Sequence, residues 1–454
     1  MQLRHLRLPL DHCLPSERTR RTGSGSGRRS LSLGLVSISL LSGALASPAP
    51  AAELRAGLAR TAITPANPVM LAGYASRKEL SQGVHDPLFA RALAFEQNRE
   101  RLVLVAIDNC GFYNSTAEPL RRAVLTASGL KPSELFLCAT HTHSAPALGL
   151  DNQKSHTNNV QYTQWLEGKL VDLVRQALEH LGPVEIGVGS GSSPVGANRR
   201  EVANDKEGKP KVILGRNPSL MTDREVQVLK LARPGERTVA GLVFAYNTHS
   251  TALGPRNNSV SGDVHGLAAQ FLENYYGPTV TAAGFAGASG NIDPWYRVLS
   301  GFKTNNGWIP EPILLGTLLG EEVVHVIDGT ATAFTNANIK TGWKTINVPA
   351  KSGDEESTNA LTASINITVA RLGEIAFVGW GGEVFNEIGK TVKEKSPFRH
   401  TFVLTHCNGA AGYLPTSSSY PEGGYEVQSS HFAPGADEIL IRETLGLLQE
   451  LSQD

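Results

Sequence analysis

Cysteine is scarce in this chain: four residues in 454, and only Cys110, Cys138 and Cys407 once the first 51 residues are set aside. So few, and an odd number, excludes a disulfide scaffold; one pair could bridge, and the spacing does not say which. No Cys-x-x-Cys occurs, which argues against a thiolate zinc site. Charge of one sign is also missing. The formal net charge is zero and no basic block is interleaved with aromatics, so nucleic acid is not the expected partner. No apolar run reaches the roughly 20 residues a membrane-spanning helix needs. No sequence period marks a repeat architecture, and no long linker divides the chain. What is present is an ordinary globular composition, 41% hydrophobic, long enough for one large domain or a few smaller ones.

The first 51 residues stand apart. Arg4, Arg7, Arg18, Arg20, Arg21, Arg28 and Arg29 face only Asp11 and Glu17. An apolar run follows at residues 31–45, then the small-x-small patterns Ala44-Leu45-Ala46 and Ala49-Pro50-Ala51. Basic region, short apolar run and cleavage pattern together read as a signal peptide, with a secreted or periplasmic mature chain starting near residue 52. Arg28-Arg29 ahead of the apolar run fits twin-arginine export.

Beyond residue 52, strand-like runs alternate with amphipathic helices. Residues 91–95 and 102–107 read as strands around a turn at Asn98-Arg99-Glu100, and 134–140 as another. Residues 226–231 with 239–246, and 365–370 with 375–380 around Gly373, read as further pairs, and 401–405 as a strand. Helices are expected at 116–130, 160–181 (apolar face through Trp165, Leu170, Val174 and Leu178), 264–276, 312–327, 383–395 and 437–451. Residues 191–211 and 254–261 read as long loops. This mixture predicts a single layered α/β domain over 52–454, with mixed β-sheets flanked by helices.

Polar residues that could carry chemistry recur just after strands, where α/β folds place ligands. Thr140-His141-Thr142-His143-Ser144 puts two histidines at i and i+2, on one face if the chain is extended; a polar surface loop is the alternative. His249 follows 243–246 and taken alone is a structural histidine. Asp263 could hold a ligating histidine or cap the helix after it. Gly287-Ala288-Ser289-Gly290 could present amides to an anion or form a plain turn. Glu383 stands at an expected helix start, where a carboxylate complements the dipole. Tyr413 reads as packing. Taken together, His141, His249, Glu383 and Tyr413 follow four separate strands, and His and carboxylate groups around an open position suit a catalytic zinc. Trp295, Tyr296 and Trp308 could line a groove.

The chain resembles the catalytic domain of the neutral/alkaline non-lysosomal ceramidases. The resemblance rests on Gly73-Tyr74-Ala75, Gly83-Val84-His85-Asp86-Pro87-Leu88, Arg91, residues 140–144, Asn198-Arg199, His249, Ser261-Gly262-Asp263 with Gly266, Glu383, Tyr413, Tyr420 and Tyr425-Glu426. It implies Zn2+ held by His141, His249, Glu383 and Tyr413, with His143 at substrate or the reaction centre and Arg199 nearby. It implies a zinc-dependent amidohydrolase that cleaves the N-acyl bond of ceramide or a related lipid with metal-activated water, Tyr413 being a ligand or oxyanion donor. The implied partner is a small-molecule or lipid substrate, with transient membrane-surface contact. Where the family carries Gly-Asp-Val-Ser-Pro, this chain has Gly290-Asn291-Ile292-Asp293-Pro294, which excludes a serine nucleophile there. Asp293 could act as a base, bind a substrate hydroxyl or amine, or shape the turn. The alternatives are a hydrolase of the same fold with another amide or ester substrate, and a non-catalytic binding protein.

Overall fold

A computed structural model describes residues 53–294, 311–332, 337–351 and 361–453, all within the unit Ala51–Asp454. The signal-peptide reading and the aromatic trio Trp295, Tyr296 and Trp308 fall outside the described residues. The helices are α1 (Ala117–Ser128), α2 (Thr157–Glu179), α3 (Asp263–Tyr276), α4 (Glu311–Gly329), α5 (Asn386–Lys395), α6 (Tyr425–Ser429) and α7 (Ala436–Ser452).

Three sheets of four or five strands are built on the same local order. In the first, Arg55–Ala62 pairs antiparallel with Phe89–Gln97, which turns tightly into Glu100–Ile107; α1 then returns the chain to Leu135–Ala139, parallel to Glu100–Ile107. The short strand Gly182–Pro183 completes this sheet. In the second, Glu185–Ser192, Glu225–Ala232 and Val239–Tyr246 are antiparallel, and Thr281–Ala286 returns parallel after α3. In the third, Ile339–Pro349, Thr362–Leu372 and Ile375–Trp380 are antiparallel, and His400–Leu404 returns parallel after α5. A second helix follows each returning strand: α2, α4 and α7. The mixed α/β class expected from the sequence holds. The threefold recurrence is carried by topology, and the sequence shows no matching period.

Period-two burial explains how the sheets assemble. Val103, Val105 and Ile107 face α1 and α2, whereas Leu102, Leu104 and Ala106 face a shared central core. Leu242, Phe244 and Tyr246 pack under α3 and α4, while Val243 and Ala245 face that same core. Ala376, Val378 and Trp380 pack toward α5 and α7, with Ile375 and Phe377 inward. Strands buried on both faces read as continuous apolar runs, and these do. Contact is close in places: a Cβ on Gly57 would lie 1.8 Å from the Ala177 carbonyl oxygen of α2.

Several expectations change. Trp165 is 43% exposed; the buried face of α2 runs instead through Leu166, Leu170, Leu173, Val174 and Ala177. The segment 191–211 holds strands Gly196–Asn198 and Arg200–Asn204, the latter paired with Pro210–Leu214, so it is not one long loop. Residues 383–395 are not a single helix. Glu383–Val384 is a short strand parallel to Tyr413–Leu414, and α5 starts at Asn386, so Glu383 does not complement a helix dipole. Cys110, Cys138 and Cys407 are buried free thiols, Cys138 facing Cys407 across an antiparallel bridge. Among the described residues, no helix is long and apolar enough to cross a membrane.

Candidate metal centre

Each of the three units ends its two parallel strands at one place. From the first come Cys110 and Tyr113, after Glu100–Ile107, and His141 and His143, after Leu135–Ala139. The second sends His249 after Val239–Tyr246 and residues 287–293 after Thr281–Ala286. The third sends Glu383 after Ile375–Trp380 and His406 after His400–Leu404. This is the carboxyl-end rule for α/β sheets applied three times over.

His141, His249 and Glu383 form a buried group whose ligand-capable atoms lie within 4.8 Å of one another. Glu383 Oε2 is 3.4 Å from His141 Nε2 and 3.5 Å from His249 Nε2. The opposite ring nitrogens are held by backbone: His141 Nδ1 is 2.6 Å from the Cys110 carbonyl, and His249 Nδ1 is 2.9 Å and 3.0 Å from the Ser289 and Ile292 carbonyls. A carbonyl only accepts, so each Nδ1 carries a proton, and Nε2 is the ring nitrogen turned inward. Glu383 is fixed in turn: its amide donates to the Gly412 carbonyl at 2.8 Å, and Oε1 accepts the Tyr113 hydroxyl at 2.8 Å. Its Oε2 is buried and has no hydrogen-bond partner. Two inward nitrogens and one unpartnered carboxylate oxygen fit a divalent cation. The overlapping group Cys110, His141 and His143 fits less well, because His141 Nδ1 is already engaged on the Cys110 carbonyl.

The electrostatics point the same way. Burial opposes charge on His141, but the Glu383 carboxylate overrides it and pushes the imidazole up to about 10. Burial, followed by His141 and His249, keeps His143 well below the usual histidine range. Burial and then Arg199 lower His249. Burial also opposes charge on Glu383, yet His141 holds it well below the carboxylate range. The Glu383 carboxylate thus holds positive charge at His141 Nε2, the position a divalent cation would take in exchange for that proton.

His141 and His143 converge differently from the extended pattern expected. His141 is left-handed, with φ 61°, and the two Nε2 atoms come to 3.2 Å. Room for His143 comes from Gly73, itself at φ 93°: a Cβ there would sit 2.3 Å from His143 Cγ. Tyr74 meets the His143 ring edge-on at 4.9 Å. The first of the matching motifs thus forms the wall behind His143.

Arg199 is buried, and its partners surround it. Nε donates to Glu426 at 2.7 Å, Nη1 to Asp293 at 3.1 Å and Nη2 to the Gly290 carbonyl at 2.8 Å; Nη1 also lies 3.2 Å from His249 Nε2. Asp293 Oδ1 is 3.9 Å from His249 Nδ1, on the outer side of that ring. Tyr413 is buried, its ring stacked 6.5 Å from His249 with Arg199 5.5 Å from its centroid. Burial and then Glu383 keep its phenol protonated.

Two functional readings are corrected. Asp263 holds no histidine: its carboxylate accepts the amides of Ala252, Leu253 and Val264 at 3.0, 3.1 and 2.8 Å, locking the turn after His249 onto α3. The amides of Gly287, Gly290 and Ile292 do not form an anion nest, since they donate to the Tyr246, Val384 and Ser289 carbonyls. The glycines serve close packing; a Cβ on Gly290 would be 2.6 Å from the Glu383 carbonyl oxygen. Sequence reasoning missed Tyr113, Cys110 and His406, whose ring stacks on His141 at 3.8 Å. The signal was available, since each follows a strand end as His141 does.

Residues 55–306 match the family described as neutral/alkaline non-lysosomal ceramidase, N-terminal, which is more than half of the chain. The chain belongs to the neutral/alkaline non-lysosomal ceramidase family. The match takes in His141, His143, Arg199, His249 and Asp293 and ends before Glu383 and Tyr413. The neutral ceramidase of Oryza sativa subsp. japonica is 28% identical over 222 residues, covering 46% of this chain and 27% of that protein. A neutral ceramidase of Mycobacterium tuberculosis is 26% identical over 230 residues, covering 47% of this chain and 34% of that one. The matched part therefore spans about a third or less of these relatives. The crystal structure of neutral ceramidase from Pseudomonas aeruginosa superposes with a TM-score of 0.69 at 18% identity, covering 89% of this chain and 76% of that chain. A ceramidase complexed with C2 gives the same TM-score at 17% identity. These two likenesses concern the fold.

Proposed function

We propose that this ceramidase-family chain is an exported zinc hydrolase that cleaves the amide bond of ceramide or a related N-acyl lipid. The observation that carries it is the unpartnered Glu383 Oε2 facing two inward imidazole nitrogens. His141, His249 and Glu383 would hold the ion, with Tyr413 as fourth ligand or oxyanion donor. A zinc ion there supplies an acidified water, its pKa near about 7, and a Lewis acid for the acyl oxygen.

The chain's own residues do the rest. His143 turns its Nε2 toward the centre, 3.2 Å from His141 Nε2, and burial keeps the ring neutral, so Nε2 is the atom placed to take a proton and return it to the leaving amine. Arg199, pinned by Glu426 and Asp293, keeps a fixed cationic edge beside the reacting centre, a preorganised group that needs no movement during reaction. Tyr413 keeps its proton and can donate to a developing oxyanion. Export rests on the basic, apolar and small-residue order of the first 51 residues. A second reading, the same chemistry on a more polar amide, draws support from Asp293, a carboxylate 18% exposed beside Arg199 where the family has serine.

The test is fatty-acid release from an N-acylsphingosine by purified, zinc-loaded protein, with a chelated control. Chelator-sensitive release supports the reading. A protein that holds stoichiometric zinc without release loses the lipid substrate, and one that holds no zinc loses the hydrolase mechanism. Replacing Asp293 with serine is expected to leave zinc content unchanged, because the carboxylate lies outside the His249 ring rather than among the inward atoms. Loss of zinc from D293S, read by elemental analysis, would place Asp293 on the metal instead.

A further inference from the structure

One short turn touches two of the residues that face inward. It leaves the strand Glu100–Ile107 at Asp108 and runs through Asn109-Cys110-Gly111-Phe112-Tyr113 to α1. The Cys110 carbonyl takes the proton of His141 Nδ1 at 2.6 Å, and the Tyr113 hydroxyl donates to Glu383 Oε1 at 2.8 Å. The second contact joins the first unit to the third, 270 residues apart in sequence. The turn is well anchored. Phe112 is buried in the core beneath α1 and α2, and Asn109 accepts the Gly111 amide at 3.0 Å while donating to the Pro146 carbonyl at 3.0 Å. Asn114 donates to the Leu148 carbonyl at 2.8 Å.

We propose that Tyr113 is a positioning residue that selects which oxygen of Glu383 faces the metal centre. This rests on the metal-hydrolase reading above. A carboxylate rotates easily about its last bond, and both oxygens are equivalent until one is bonded. Tyr113 engages Oε1 with a charge-assisted hydrogen bond, which leaves Oε2 as the oxygen between His141 and His249. Partners of this kind fix ligand orientation and typically carry about 10–100-fold in metal affinity. The glycine two residues earlier belongs to the same device. A Cβ on Gly111 would lie 2.6 Å from Tyr113 Cε2, so alanine there must displace the ring that carries the hydroxyl.

The test compares zinc dissociation constants, by chelator competition, for the full chain, Tyr113→Phe and Gly111→Ala, alongside unfolding midpoints in chelator. Zinc binding is expected to weaken about 10-fold or more in Y113F, which keeps the ring and loses only the hydroxyl. Its chelated midpoint should fall, since Glu383 Oε1 loses a donor, so zinc affinity is compared below that midpoint, on folded protein, where a merely structural role would leave it unchanged. G111A should weaken zinc similarly with the hydroxyl still present. Parent-like zinc affinity in Y113F overturns the positioning role and leaves the hydrolase reading standing. A parent chain without zinc affinity overturns both.

Discussion

Replacing His249 with alanine is expected to remove bound metal and abolish amide hydrolysis together, with kcat/KM falling at least about 1000-fold, or about 4 kcal/mol. The imidazole is fully buried, and its Nε2 is one of two nitrogens facing Glu383 Oε2. Alanine would leave Glu383 and one imidazole with at most the Tyr413 phenol, a poorer donor set for a catalytic zinc. The substitution also strips a donor from the Ser289 carbonyl, which adds about 1–3 kcal/mol of destabilisation of its own. The measurement is therefore threefold: zinc per folded molecule, chelator-sensitive rate and unfolding midpoint. A folded H249A protein that keeps full zinc and full rate would take His249 out of the ligand set.

A different variant should strike the fold. Arg91→Met is expected to cost about 3–5 kcal/mol, a large share of the roughly 5–15 kcal/mol by which a domain is stable. Arg91 is 1% exposed and sits between the first sheet and α3. It grips Glu273 with two nitrogens, at 2.8 and 3.1 Å, and reaches Asp108 at 3.1 Å. Methionine fills much of the volume but leaves both carboxylates buried, and Asp108 Oδ1 already lacks a partner. Arg60, 2.6 Å from Glu273, still faces one of them and moderates the loss. Urea unfolding gives the answer: a change below about 1 kcal/mol would rank this cluster with exposed ion pairs.

Local order was readable where side-chain periodicity and turn chemistry agree. The hairpin turn at Asn98-Arg99, the closure of α1 at Gly129 and the turn at Gly373 all stand where the sequence places them, the last two in the left-handed conformation glycine permits. Short strands were not readable. Glu383–Val384 and Tyr413–Leu414 are too brief for any period, and each exists only because the other lies beside it. The strand Arg55–Ala62 and the hairpin after Arg199 escaped for a related reason: their pairing partners, not their own composition, make them strands.

Sequence alone placed His141, His143, His249, Glu383 and Tyr413 after strand-like runs, while each taken singly also read as a surface, structural, dipole-complementing or packing residue. The motif segments also pointed to the family. Tertiary structure decided how these residues meet. Three units with one topology bring their parallel strand ends together, so groups more than 100 positions apart come within 4.8 Å. It also decided which nitrogen of each histidine faces inward, through carbonyls of Cys110, Ser289 and Ile292. A backbone carbonyl has no residue identity, so no sequence pattern could have named it. The hydroxyl of Tyr113 acts on Glu383 only because the central core, built from all three sheets, fixes the distance between them.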